Sequence, residues 1–190
     1  HHSPKITINR PHLFEYDTNC TLLNLSKCVL RTISTFLPND QSVSTLAKHQ
    51  MQEIAENSLN VYIRRRLCQN LWLLLNEHFI CWKLFGKNHV WHIIEKVAYS
   101  LRCETDRKSS KFCTAVHTTN GIFCSPFNIL YDAKFRTFVC YGLNYSCLDD
   151  FFDILFNTKI FLKYYRKEAI IRKDEVKNYV VSLLHELTSK

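Results

Sequence analysis

Lys5-Ile6-Thr7-Ile8-Asn9 alternates polar and apolar positions with period two and stops before Pro11, which predicts a short strand. Beyond it the period lengthens. Leu22, Leu25, Val29, Ile33 and Phe36 recur at helical spacing behind the capping candidates Thr18 and Asn19, and Pro38 ends the run. A second helix beginning at Ser42 or Ser44 would bury Ala47, Met51 and Ile54. A third carries Leu59, Ile63, Leu67, Leu71 and Leu74 on one stripe, a four-residue repeat that predicts a long, well-buried helix. Gly86 and Asn88 mark a turn before a fourth, with Val90, Ile93, Ile94, Val97 and Leu101 inward. The first half therefore reads as helical.

Past a polar stretch from Cys103 to Lys111, three runs read as strands: Lys111 to His117, Ile122 to Tyr131, and Phe135 to Tyr141. Asn120-Gly121 between the first two is a strong hairpin signal. On the third run Phe135, Val139 and Tyr141 point one way and Phe138 and Cys140 the other, so both faces of the sheet would be apolar. Leu148 to Tyr165 is aromatic-rich and helical in pattern. After a basic stretch, Asp174 caps a last helix with Tyr179, Val180, Leu183, Leu184 and Leu187 inward. The fold class expected is α+β, a helical first half with an antiparallel or mixed sheet. Helices can cover one sheet face, and a second copy of the chain is the expected cover of the other.

Composition narrows the class without changing this picture. The chain has 190 residues, 46% hydrophobic and 22% charged, with only 3 Gly and 4 Pro, which excludes a disordered tail or a collagen-like rod. His1, His2 and Ser3 read as a tag remnant, leaving a single domain over 4–190. No run reaches the roughly 20 apolar residues of a membrane span. Nine cysteines, none as CxxC, read as reduced thiols of a cytosolic or nuclear compartment. Lys plus Arg exceed Asp plus Glu by 25 to 17, a net charge of +8 that favours nucleic acid or an acidic partner.

Catalytic and metal chemistry find little support. Cys113 and His117, if on one strand, stand about 13 Å apart. His78 with Cys81, and His89 with His92, have helical ligand spacing, but neither has a second pair to complete a zinc site. Asp149, Asp150 and Asp153 read as the solvated first turn of a helix. No phosphate-cradling or hydrolase motif occurs, so neither catalytic residue nor cofactor is expected. The basic residues say more. Arg64, Arg65 and Arg66 fan over about 200° of one helix, so at most two face one partner. Lys48, Lys83 and Lys87 could gather on the same surface. A second cluster comprises Lys163, Arg166, Lys167, Arg172 and Lys173.

The runs KITINRPHLF, RRRLCQNLWLLLNEHFICWKL, WHIIEKVAYSLRC and KFCTAVHTTNGIFCSPFNILYDAKFRTFVCYGLN, with the closing DEVKNYVVSLLHELTSK, together resemble the C-terminal domain of the betaherpesvirus, roseolovirus-like, immediate-early protein 2 transactivators. Against that family, 144–173 looks like an insertion. Asp40 and Leu46 stand where its zinc-ligating histidines would be, so no metal site is carried over. The resemblance implies a transcription regulator of the host-cell nucleus that binds duplex DNA as a homodimer. Its barrel-like dimeric core would be similar to gammaherpesvirus origin-binding domains. In that reading Lys48, Arg64, Arg65, Arg66, Lys83 and Lys87 contact DNA through a helix-turn-helix-like pair, and Phe135, Phe138, Val139 and Tyr141 close the dimer. The alternative is a protein-interaction module that recruits host transcription or cell-cycle proteins without DNA affinity. The surplus aromatics Phe151, Phe152, Phe156 and Phe161 support it.

Overall fold

A computed structural model of the chain describes residues 22–29, 31, 61–80, 89–123 and 130–189. These residues are mostly helical, and no strand occurs among them. Helix α1 covers 22–29. A π-helical segment, Ile63–Leu67, leads into α2, Cys68–Asn76. Then come α3, Val90–Ser100; α4, Arg107–Ile122; α5, Tyr131–Asn144; α6, Leu148–Asn157; and a single turn, α7, Lys159–Leu162. A 3₁₀ turn at Ile170–Arg172 precedes α8, Asp174–Thr188. The expected strand at Lys5 to Asn9 and the helix after Ser42 lie outside the described residues.

The α+β expectation is corrected by α4 and α5. Lys111 to His117 lies inside α4 and Phe135 to Tyr141 inside α5; of Ile122 to Tyr131, residues 124–129 lie outside the description. Asn120-Gly121 makes no hairpin because it closes the last turn of α4, where the Asn120 amide ties three helices together. Its Nδ2 donates to Glu95 Oε1 at 2.8 Å, and its Oδ1 accepts from Trp91 Nε1 at 3.3 Å and Lys134 Nζ at 3.0 Å. A side chain spent on tertiary bonds no longer competes for its own backbone, which is what makes Asn a turn former. The apparent two-sided run in α5 is a helical stripe: Phe135, Phe138, Val139 and Gly142, spaced i, i+3, i+4, i+7, are all buried.

Among the described residues there is no sheet to form a barrel core, and Phe135, Phe138 and Val139 pack inside the single chain. Phe112 of α4, Phe138 of α5 and Phe151 of α6 meet in a three-ring cluster, Phe112 edge-on to both at 5.4 and 5.5 Å and the other two stacked at 4.8 Å. Trp91 joins edge-on to Phe138 at 5.9 Å. Each ring so buried contributes about 1.5–3 kcal/mol relative to exposure. Helix α3, buried through Val90, Trp91, Ile93, Ile94, Val97 and Ala98, runs through the middle. Helix α6 lays Leu148, Phe151, Phe152, Leu155 and Phe156 inward, and α8 answers with Val180, Leu183 and Leu184. Asp149 in the first turn of α6 meets His185 in the last turn of α8 at 2.7 Å, so the two helices run antiparallel. Tyr179 of α8, expected inward, is 46% exposed.

Two close approaches fix the loops. A Cβ at Gly142 would stand 2.9 Å from Leu148 Cδ1 and 3.0 Å from Leu148 Cα, so only glycine lets α6 turn back onto α5. The Tyr165 hydroxyl, buried and thereby pushed well above the ordinary tyrosine range, donates to Leu75 O at 2.5 Å and anchors the segment after α7 to the end of α2. There Phe79 and Tyr165 form an isolated antiparallel bridge.

Candidate functional site

Between the N-terminal end of α2 and the first turns of α5 lies a groove of about 520 Å³. Arg65, Arg66, Cys68, Gln69 and Trp72 line one wall, and Asp132, Phe135 and Arg136 the other. The arginines come from the π turn Ile63–Leu67, an interruption of α-helical geometry often found at functional positions. Leu67 and Leu71 are fully buried, which holds the inner face of this segment on the core and turns Arg65 and Arg66 to solvent. Neither arginine forms an ion pair with an acidic side chain among the described residues.

Across the groove, Arg136 Nε donates to the Asp132 carbonyl at 3.2 Å, one helical turn back, leaving the guanidinium edge facing outward. The Asp132 carboxylate, the acidic group of the lining, is engaged from outside the groove by His89 Nε2 at 3.0 Å. His89 Nδ1 accepts the Trp91 backbone N–H at 3.0 Å as the N-cap of α3, so the ring proton sits on Nε2 and is donated to Asp132. Tyr131 stacks on His89 at 5.4 Å and meets His92 edge-on at 4.4 Å. Beneath the cations the floor is apolar: Phe135 is buried, and Cys68 is buried in hydrogen-bond contact with Cys140, which together with burial raises its thiol pKa far above the ordinary range. Trp72 Nε1 is buried with no acceptor among the described residues. A cationic rim over an apolar floor can seat a carboxylate-bearing protein segment with an apolar anchor.

Of the residues read from the sequence, the structure brings Arg65, Arg66 and Phe135 to this groove. It describes the backbone of Arg64 but not its side chain, and Lys48, Lys83 and Lys87 lie outside the described residues. Phe138 and Val139 are fully buried in the single chain and Tyr141 is half-buried against Tyr145, so they form no sheet face. Phe151, Phe152, Phe156 and Phe161, which could mark an interface but are more often core residues, are fully buried and belong to the core. Gln69, Trp72, Asp132 and Arg136 escaped the reading. The Asp132–Arg136 spacing of four would have disclosed the latter two had 131–144 been read as a helix.

Cys113 and His117, expected about 13 Å apart on one strand, are instead helical neighbours. Both lie on α4, one turn apart, and line a smaller α3–α4 groove of about 400 Å³ beside Tyr99 and Arg102. Cys113 Sγ donates to Ala98 O at 3.4 Å, and burial raises its pKa, so it is held as the thiol and not the nucleophilic thiolate. No group of three or more His, Cys, Asp or Glu able to hold a metal ion occurs among the described residues. Asp149 and Asp150 do open α6, and Lys108 meets Asp150 at 2.6 Å.

The RUN domain family model matches residues 41–189 of the chain. None of the curated proteins compared with it matches. The RUN match, together with an all-helical architecture, overturns the betaherpesvirus immediate-early resemblance and with it the viral, DNA-binding transactivator role. A match over three quarters of the sequence leaves one assignment: the chain belongs to the RUN domain family.

Proposed function

We propose that this chain is a protein-interaction module that engages a small GTPase through the α2–α5 groove. The observation that carries the reading is membership of the RUN family, whose domains interact with small GTPases. The groove supplies suitable chemistry: Arg65, Arg66 and Arg136 present guanidinium groups for carboxylates on the partner, and Phe135 and Trp72 offer an apolar seat. The interaction-module alternative drawn from the sequence thus takes the lead, resting on its basic surface and no longer on the aromatic segment.

The test is retention of purified small GTPases, loaded with GDP or a non-hydrolysable GTP analogue, on the immobilised chain. One member is expected to bind in a nucleotide-dependent manner. The double variant Arg65→Ala/Arg136→Ala should weaken it about 10- to 100-fold, the loss expected for one or two charge-assisted hydrogen bonds. An unchanged melting temperature would verify its fold. Equal affinity of wild type and variant would remove the groove from the interface, and failure of every GTPase in both nucleotide states would remove the function.

A further inference from the structure

The second basic cluster of the sequence is not used by the groove, and its setting is distinctive. From 159 to 173 the chain carries Lys159, Lys163, Arg166, Lys167, Arg172 and Lys173 against one acid, Glu168. Phe161, Tyr165, Ala169, Ile170 and Ile171 are buried, so the inner side of this turn is fixed on the core. Its backbone is also tied down. Ile80 N donates to Tyr164 O at 2.7 Å and Arg166 N to His78 O at 3.2 Å. Arg172, facing inward, donates from Nη2 to the carbonyls of Leu162 and Tyr165, the latter at 3.0 Å.

Arg172 is therefore spent on the fold, while Lys159, Lys163, Arg166, Lys167 and Lys173 remain exposed and form no ion pair among the described residues. Lys96 of α3 adds a further charge beside them, its Nζ 2.8 Å from the Tyr164 hydroxyl and 5.0 Å from the ring centre. The result is a ledge of cations on a backbone ordered before any partner arrives.

We infer that this ledge docks on an anionic phospholipid surface. Its charges are spread over the outside of a turn and most are lysines, hydrated point charges suited to a diffuse field of phosphates and carboxylates. Each Lys or Arg near an anionic leaflet adds a roughly equal increment of attraction, and these increments act together only while the charges share one side. The inward anchors Phe161, Tyr165 and Ile170 fix on the core the backbone that carries the charges. The inference stands apart from the GTPase reading, since it uses none of the groove residues.

The experiment is co-sedimentation of the 190-residue chain with phosphatidylcholine vesicles, with and without phosphatidylserine, over a salt series. Binding is expected only with phosphatidylserine and should fall as salt shortens the screening length to about 10 Å near 0.1 M. The variant Lys163→Ala/Arg166→Ala/Lys167→Ala should lose about 100-fold in partitioning and keep the wild-type melting temperature, because it removes exposed ends only. Wild-type partitioning of that variant would overturn the inference, as would equal binding to vesicles without phosphatidylserine. So would a chain that stays in the supernatant at low salt yet binds soluble poly-glutamate, which would reassign the ledge to an acidic protein. A variant deficient on vesicles whose GTPase complex still dissociates at the wild-type rate separates this inference from the groove.

Discussion

Ser146 holds a backbone angle, φ 48°, that L residues adopt at a cost. The reason is the end of α5. Cys147 N donates to Gly142 O at 2.8 Å and Ser146 N to Leu143 O at 3.1 Å, the paired bonds of a helix stop whose penultimate residue must be left-handed. Glycine is the residue suited to that position, and serine occupies it. Ser146 is exposed and its side chain makes no hydrogen bond among the described residues, so Ser146→Gly removes strain without removing such a contact. The expected outcome is a gain of up to about 1 kcal/mol, the left-handed penalty less the extra entropy of glycine. Thermal unfolding should show it as a rise of a few degrees, and an unchanged or lower midpoint would mean that the turn is not strained. The neighbouring Gly142 behaves oppositely, since any Cβ there meets Leu148.

At the scale of elements, α4 was missed at its start as well as in its interior, since the Asp106 cap lies in the stretch from Cys103 to Lys111 that reads only as polar. There Asp106 Oδ1 accepts the backbone N–H groups of Lys108 and Ser109 at 2.9 and 3.0 Å. Hydrogen bonds from the Ser109 side chain and from these backbone groups hold its carboxyl below the ordinary Asp range. A depressed folded pKa gives stability that is whole above the unfolded value of about 3.9 and is lost as pH falls through the folded one. Asp106→Ala should therefore melt below wild type at neutral pH, with the gap closing in acid below about pH 4. A gap that persists at pH 2 would locate the effect outside the carboxylate. The same helix was misread in its interior because Phe, Thr, Val and Cys favour strands when taken singly. Period decides over propensity here, as Phe112, Ala115, Val116 and Thr119 share one face. The leucine stripe of α2, the inward face of α3, the helical character of α6 and the start of α8 at Asp174, which is its first residue and not its side-chain cap, were legible because their spacing admits no alternation. The groove was not, because Arg65 and Arg136 are far apart in sequence and meet only once α5 is a helix.

On the scale of the whole molecule, the two cationic features share one support. The groove opens at the N-terminal end of α2, whereas the ledge is anchored by bonds to Leu75 and His78 at and beyond its C-terminal end. Nine residues of helix span about 14 Å, more than a Debye length at 0.1 M salt, so the two regions act as separate charges nearby and as one field at a distance. The net charge of +8 adds to that field. For an acidic partner protein such a field speeds encounter, whereas close groove contacts slow dissociation. The two contributions can be told apart by stopped-flow association of a partner GTPase across a salt series. Lys163→Ala/Arg166→Ala/Lys167→Ala should lower the association rate and flatten its salt dependence with little change in dissociation. Arg65→Ala/Arg136→Ala should chiefly speed dissociation. If both variants altered the same rate alike, the groove would hold no more of the partner than general attraction does, and the seat formed by Phe135 and Trp72 would lose its role.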